Sequence, residues 1–330
     1  MQASKETSKN EHIIKPKKTK SKKSNVKFLE TLKSAPYLLP AMISILIFTI
    51  FPILYTVFIS FTNYTMFTPM SDIEFVGFAN FIEVIKGPFS KIFFPVFLWT
   101  VVFAVIATLG NFFVGLVMAI LLNNENIKER GIYKGILILP WALPATVAIL
   151  SWQGLLNGSY GAINNALLNL HIISAPIQWL TDPIWARVGI IMVTIWLGFP
   201  YMMNVCSGAL AAIPKSYYEA AEVDGASKWV QFTKITLPSL AQTAYPLIIS
   251  SFAFNFNNFG AAFLITNGGP ARIGTQFAGY TDILASVNYK LSTQFGRYEI
   301  ASTISIMIFI LISSISYYQM KKSGQFEEVE

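Results

Sequence analysis

PVFLWTVVFAVIATLGNFFVGLVMAILL, from Pro95 to Leu122, runs without one charged side chain. An uncharged apolar run of ~18 residues or more is a candidate membrane span, because a hydrocarbon core of ~30 Å takes about 20 helical residues to cross. Outward from it, similar stretches run at about Pro36 to Phe61, Gly135 to Leu156, Val188 to Ile213, Tyr245 to Thr266 and Ile300 to Gln319. Only 12% of the chain is charged, against about 25% in soluble domains. The expectation is an all-α integral membrane protein with six transmembrane helices. The charged residues all fall outside these stretches, which disfavours a proton relay or coupling-ion site within the membrane.

With six spans, both termini share one side. Eighteen of the 24 Lys and Arg fall on that side and six on the other, so the termini are expected in the cytoplasm of a multi-pass cell-membrane protein. Three parts are expected: a Lys-rich disordered leader over 1–35, a membrane domain over 36–320 and a short tail over 321–330. Most of the net charge of +7 sits in that leader, just inside the first span, so anionic lipid is the expected neighbour and nucleic acid is not. Cys206, in mid-span, reads as packing filler, and His171, with no other His or Cys near it, as an ordinary surface residue.

Two connections carry more pattern than a linker needs. In FVGFANFIEVI, Phe78, Phe81, Ile82 and Ile85 recur at helical spacing before Lys86-Gly87-Pro88, as in a helix lying in the membrane interface. The stretch IPKSYYEAAEVDGASKWVQFTKITLP, residues 213–238, reads as two short helices joined at Gly225. It gathers Glu219, Glu222 and Asp224 with Tyr217, Tyr218 and Trp229 into an expected docking surface for a soluble partner. Glu219-Ala220-Ala221, three residues, Gly225, nine residues and then Ile235-Thr236-Leu237-Pro238 resembles the signature loop of the membrane subunits of bacterial binding-protein-dependent ABC importers. LPWALPATVAILSWQGLLNGSYGAIN (139–164), WLGFPYMM (196–203), SFAFNFNNF (251–259), LITNGGP (264–270) and GYTDILAS (279–286) narrow the resemblance to the maltose/maltodextrin type.

That resemblance implies a type I ABC importer permease fold. It also implies a second homologous permease subunit, two ATPase subunits docking on the 213–238 loop through Glu219, Ala220, Ala221 and Gly225, and an extracytoplasmic sugar-binding protein. It further implies a neutral sugar site built from Thr194, Leu197, Gly198 and Tyr201 on one span and Ser251, Phe254, Asn255 and Asn258 on the next. Each set has the spacing i, i+3, i+4, i+7, which is one helix face. An Asn amide offers donor and acceptor together to vicinal hydroxyls, and Phe or Tyr rings pack on the C–H face of a pyranose. Relatives carry Asn where this chain has Thr194, which implies a difference in sugar length or identity. The competing reading of Asn255, Asn257 and Asn258 is interhelical packing.

The chain has no GxxxxGK[ST] pattern, nucleophile-and-base constellation or metal-ligand spacing. It is therefore expected to be a transport subunit and not an enzyme, without a cofactor of its own, the ATP and Mg belonging to the partner ATPase. Other neutral oligosaccharides, of the lactose or raffinose type, are the alternative cargo. A secondary carrier lacks its coupling-ion residues here, a phosphate substrate lacks Arg or Lys in the spans, and a membrane scaffold leaves the Asn-rich face unexplained.

Overall fold

A computed structural model of the chain describes residues 36–124 and 127–322. The proposed leader and residues 323–330 of the tail lie outside the described residues. The chain divides into two compact units, Met1–Tyr55 and Thr56–Glu330. In the first, residues from Pro36 onward are helical, with a π-helical stretch at Leu46–Ile50, and Tyr37, Phe48 and Leu54 are exposed. This helix, α1, runs over Pro36–Ser60. Apolar side chains left outward along a helix of this length suit hydrocarbon and not water.

Among the described residues, the regular structure of the second unit is helical apart from two isolated β-bridges. Its elements are α2 (Ala79–Ile85), α3 (Ser90–Leu122), α4 (Arg130–Leu137), α5 (Leu139–Ala142), α6 (Ala145–Leu155), α7 (Ala162–Asn169), α8 (Pro183–Ala211), α9 (Lys215–Val223), α10 (Lys228–Gln231), α11 (Leu237–Asn257), α12 (Gly260–Thr266), α13 (Leu284–Thr293) and α14 (Tyr298–Lys322). Among the described residues, five helical stretches are long and apolar enough to cross a membrane: Pro36–Ser60, Ser90–Leu122, Pro183–Ala211, Thr243–Thr266 and Tyr298–Lys321. Asp182 starts α8 by accepting hydrogen bonds from the amides of Ile184 and Trp185 at 2.9 and 3.0 Å, with Pro183 in the first turn.

The expected single helix over Gly135 to Leu156 is instead α4, α5 and α6. Leu143 is extended at ψ 148° ahead of Pro144, the conformation that the proline ring imposes on its predecessor.

α3 and α8 form the centre and run parallel. Along them, Gly110 meets Ile195, Asn111 meets Gly198 and Gly115 meets Met202 and Met203, both numbers rising together. Two parallel neighbours require the chain to return between them, and the broken stretch does so. Leu137 packs in the cluster of Leu116, Met203, Cys206 and Leu240 at the end where α3 and α8 stop, the lower end. Ile149 and Leu156 pack with Trp99, Trp179 and Ile190 at the end where they begin, the upper end. α11 runs opposite to α3, Leu240 lying near Leu116 and Asn255 near Thr108. It carries Pro246 in its interior, where the missing amide hydrogen removes one helical hydrogen bond.

The upper end is closed by the loop over 267–283. Asp282, fully buried, accepts from the Gly279 amide at 2.7 Å, the Ser286 hydroxyl at 2.7 Å and the Lys290 ammonium at 2.8 Å. Gly268, at φ +76°, lies so close to that carboxylate that a Cβ would overlap it. Arg187 donates to the Tyr280 carbonyl at 2.9 Å and lies over the Trp99 ring, while Trp99 donates to the Thr281 carbonyl at 3.2 Å. α2 turns Asn80 and Val84 inward, Asn80 donating to the carbonyls of Ser60 and Thr62, and leaves Phe78, Ile82 and Ile85 exposed. Those three form an exposed apolar stripe of the kind found on interfacial helices, whereas Phe81, expected in the same stripe, is half-buried against the Phe61 and Phe78 rings.

Candidate functional site

The loop at the lower end folds as two helices about Gly225. Pro214 is the cap before α9, and Asp224 ends that helix. The amide of Ala226 donates to the Ala221 carbonyl at 2.8 Å and that of Gly225 to Glu222 at 3.0 Å. This closure needs a left-handed residue at the second position, and Gly225 supplies it at φ +77°. Ser227 then caps α10, which passes through a π-helical stretch, Phe232–Thr236, into α11 without interruption. Lys228 bridges back to Glu222 across the turn, and this hydrogen-bonded ammonium holds the Glu222 carboxyl below the usual range.

Glu219, Ala220, Asp224 and Gly225 are exposed, as are Tyr217, Val223 and Trp229, whereas Ala221 is half-buried. Tyr218, expected on the same surface, is instead half-buried, its hydroxyl 2.8 Å from that of Thr236 at the root of α11. The loop therefore presents an acidic and aromatic head while being tied to the long helix behind it.

The eight residues expected to face a sugar do not share one environment. On α8, Thr194 is 4% exposed and donates to the Ile190 carbonyl at 2.7 Å. The Gly198 backbone receives the amide head of Asn111 from α3, with a built Cβ only 2.4 Å from Nδ2. The space beside Gly198 is thus filled in this packing by a side chain of the neighbouring helix. Leu197 packs at the edge of the upper cluster. Tyr201 is exposed and lies against the Trp141 ring at 6.4 Å.

On α11, Asn255 is 2% exposed and donates to the Thr108 hydroxyl of α3 at 3.0 Å, with a longer contact to Ser251 at 3.4 Å. In this packing it is interhelical, as the competing reading had it. Phe254 is exposed, and so are Ser250 and Asn257, which share its face at i, i+4, i+7. The open face of α11 is therefore turned from the expected one toward Ser250 and Asn257. Asn258, half-buried, breaks the helix at ψ 86° and accepts from the Gly260 amide at 3.3 Å. Since Thr108 lies halfway along α3, close to Gly110 and Asn111, the Asn255 and Gly198 contacts sit at one depth near mid-span.

Sequence reasoning missed Asn111 and the sealing pair Asp282 and Lys290. Asn111 lies inside an apolar stretch, and a lone amide there was the signal. Its Oδ1 is buried with no partner.

Several long apolar helices, a parallel central pair and an exposed two-helix loop rooted in one of them define a multi-span membrane protein. Residues 111–322 match the family of binding-protein-dependent transport system inner membrane components, and the chain belongs to that family. The chain is similar to the maltose/maltodextrin transport system permease protein of Klebsiella aerogenes, 44% identical over 247 residues, covering 73% of this chain and 48% of that protein. The protein of that description in Escherichia coli K12 is 43% identical over 236 residues, covering 70% of this chain and 46% of the other. The chain thus spans about half the length of the curated relatives it matches. Its fold is similar to that of a chain in the crystal structure of a bacterial ABC transporter involved in import of the acidic polysaccharide alginate. The TM-score is 0.75 at 24% identity, covering 92% of this chain and 98% of that one.

Proposed function

We propose that this chain is a permease subunit of an ATP-driven importer and forms part of the translocation pathway for maltose and maltodextrins. The observation that carries the reading is 44% identity to a maltose/maltodextrin permease protein over 73% of the chain. The exposed Glu219 head, held at a left-handed Gly225, supports the 213–238 loop as the element that docks on an ATPase. A second homologous permease, two ATPase subunits holding ATP and Mg, and an extracytoplasmic sugar-binding protein complete the assembly. The chain crosses the membrane six times, α4 to α6 making the broken crossing, with both termini and Gly225 in the cytoplasm.

In this packing the sugar contacts are Tyr201, Phe254 and Asn258, with Leu197 and Ser251 at the margin. Thr194, Gly198 and Asn255 fix the helices behind them and reach sugar in the alternate packing. Closure of the ATPases moves α9, and through it α11, so that transport is a shift between two packings driven by their differential affinity for ATP and loaded receptor.

The test is ATP hydrolysis and sugar uptake in proteoliposomes holding the assembled importer, with the binding protein loaded in turn with maltose, maltodextrins, lactose and raffinose. Maltodextrin should stimulate both. Phe254→Ala and Asn258→Ala should lower uptake at unchanged protein level, by about 5 to 150-fold for a polar partner left unpaired at ~1–3 kcal/mol. Stimulation by lactose or raffinose alone reassigns the cargo, and no stimulation by any sugar sinks the reading.

A further inference from the structure

A cavity that takes in Asn257 but none of the eight residues expected to face a sugar lies at the upper end. It has a volume of about 410 Å³ and is lined by Asn257, Phe259, Asn288, Tyr289, Ser292 and Ser305. Small-molecule sites commonly run from about 300 to 1,000 Å³. Four elements meet there: the end of α11, the break before α12, α13 and α14.

Its lining is unlike a lipid-facing recess, where unpaired polar groups are costly. Asn288 donates to the Ser305 hydroxyl at 2.7 Å, and its Oδ1 is buried with no hydrogen-bond partner. That acceptor lies beneath the surface, and the wall in front of it holds two amides and three hydroxyls. The opposite character comes from Phe259 and Tyr289, whose rings stack at 5.4 Å and 25°. Amides and hydroxyls beside an aromatic wall match the two faces of a pyranose, whose hydroxyls need donors and acceptors together. No Lys, Arg, Asp or Glu lines the space, which points away from phosphate and uronate groups.

Position adds a further argument. Asn257 follows Phe254 by three residues on the exposed face of α11, about 4.5 Å along the helix axis. The cavity thus continues the open face that carries Phe254 toward the upper end.

We infer that this cavity is a subsite for a unit of a neutral oligosaccharide, one helical turn beyond Phe254 on the same path. The inference rests on the sugar-permease reading above, and two measurements keep the failures of the two apart. Uptake in proteoliposomes scores that reading. The subsite is scored by maleimide labelling of Ser292→Cys in the assembled importer, in a Cys206→Ala background, with and without saturating maltotetraose, lactose or raffinose. At least one of these sugars should slow labelling by about 5-fold or more, while an exposed control, Ser159→Cys, keeps its rate. Asn257→Ala, at an exposed position that leaves packing intact, should reduce that protection and raise KM for the protecting sugar by about 5-fold, the scale of one lost hydrogen bond. Protection by lactose or raffinose without maltodextrin uptake would retain the subsite and change the cargo. Unchanged Ser292→Cys labelling with every sugar overturns the subsite whether or not maltodextrin is taken up. Labelling that follows lipid composition and ignores sugar overturns it too, marking a lipid site.

Discussion

The contact between α3 and α8 rests on three glycines, and substituting them one at a time gives a sharp test of the packing. At Gly198 a built Cβ falls 2.4 Å from Asn111 Nδ2, and at Gly110 it falls 2.3 Å from Ile195 Cδ1; both obstacles are side-chain ends. At Gly115 the obstacles are the Met203 backbone nitrogen at 2.6 Å and Met202 Cβ at 2.7 Å. Overpacking costs about 1–3 kcal/mol, while replacing Gly by Ala in a helix interior returns ~1 kcal/mol of propensity. Taking ~2 kcal/mol for a clash with a movable side chain and ~3 for one with backbone, Gly198→Ala should destabilise by about 1 kcal/mol and Gly115→Ala by about 2. Asn111→Ala removes the obstacle to the first. In that background Gly198→Ala should stabilise, by about 1 kcal/mol, so the substitution changes sign and the coupling is ~2 kcal/mol, within the range for touching residues. No side-chain truncation at Met203 should rescue Gly115→Ala. The assay is reversible unfolding of the purified chain in mixed detergent micelles, followed by circular dichroism, for the four members of the cycle. If Gly198→Ala has the same sign with and without Asn111, the two side chains do not compete for that space and the α3–α8 packing is misdrawn.

Other outcomes follow from the loops. Gly225→Val forces a β-branched residue to φ +77°, where even an unbranched one costs about 1–2 kcal/mol; together with Glu219→Lys it should lower ATPase pull-down or uncouple hydrolysis from uptake, while membrane insertion stays normal. Full stimulated transport in both variants would remove the loop from the coupling role. Lys290→Met strands the buried Asp282 carboxylate, which costs about 3–5 kcal/mol when one partner of a buried pair is removed. Amide hydrogen exchange over 267–283 should then accelerate by orders of magnitude and largely recover in Lys290→Met with Asp282→Asn; unchanged exchange would show that the pair does not hold this loop. Cysteines at Ser159 and Gly269 should react with an impermeant reagent from outside intact cells and one at Gly225 should not. The reverse pattern inverts the orientation.

The elements that came through from sequence are those set by local chemistry. Long uncharged stretches become α3, α8 and α14 because burial in hydrocarbon needs nothing beyond length and apolarity, and Gly225 ends α9 because its neighbours leave a left-handed position to fill. What did not come through is rotation about a helix axis. The spacing of Ser251, Phe254, Asn255 and Asn258 defines a face, yet the side of α11 that stays open depends on where α3 lies, and Thr108 draws Asn255 inward while Asn257 remains outside. The broken crossing was signalled by Pro144, which interrupts a run that hydropathy alone reads as one helix. Lys290 lies within α13 and Asp282 in the loop ahead of it, eight residues earlier, and only the fold of that loop brings them together.

Pro246 lies partway along α11, between its root in the 213–238 loop and its open face, at a point where one helical hydrogen bond is missing. From there to Asn257 the helix is eleven residues long, about 16 Å at 1.5 Å per residue, so a change of about 10° in the bend swings its tip by about 3 Å. A displacement of that size is one hydrogen-bond length. It is enough to part Asn255 from Thr108, whose contact at 3.0 Å holds α11 to α3.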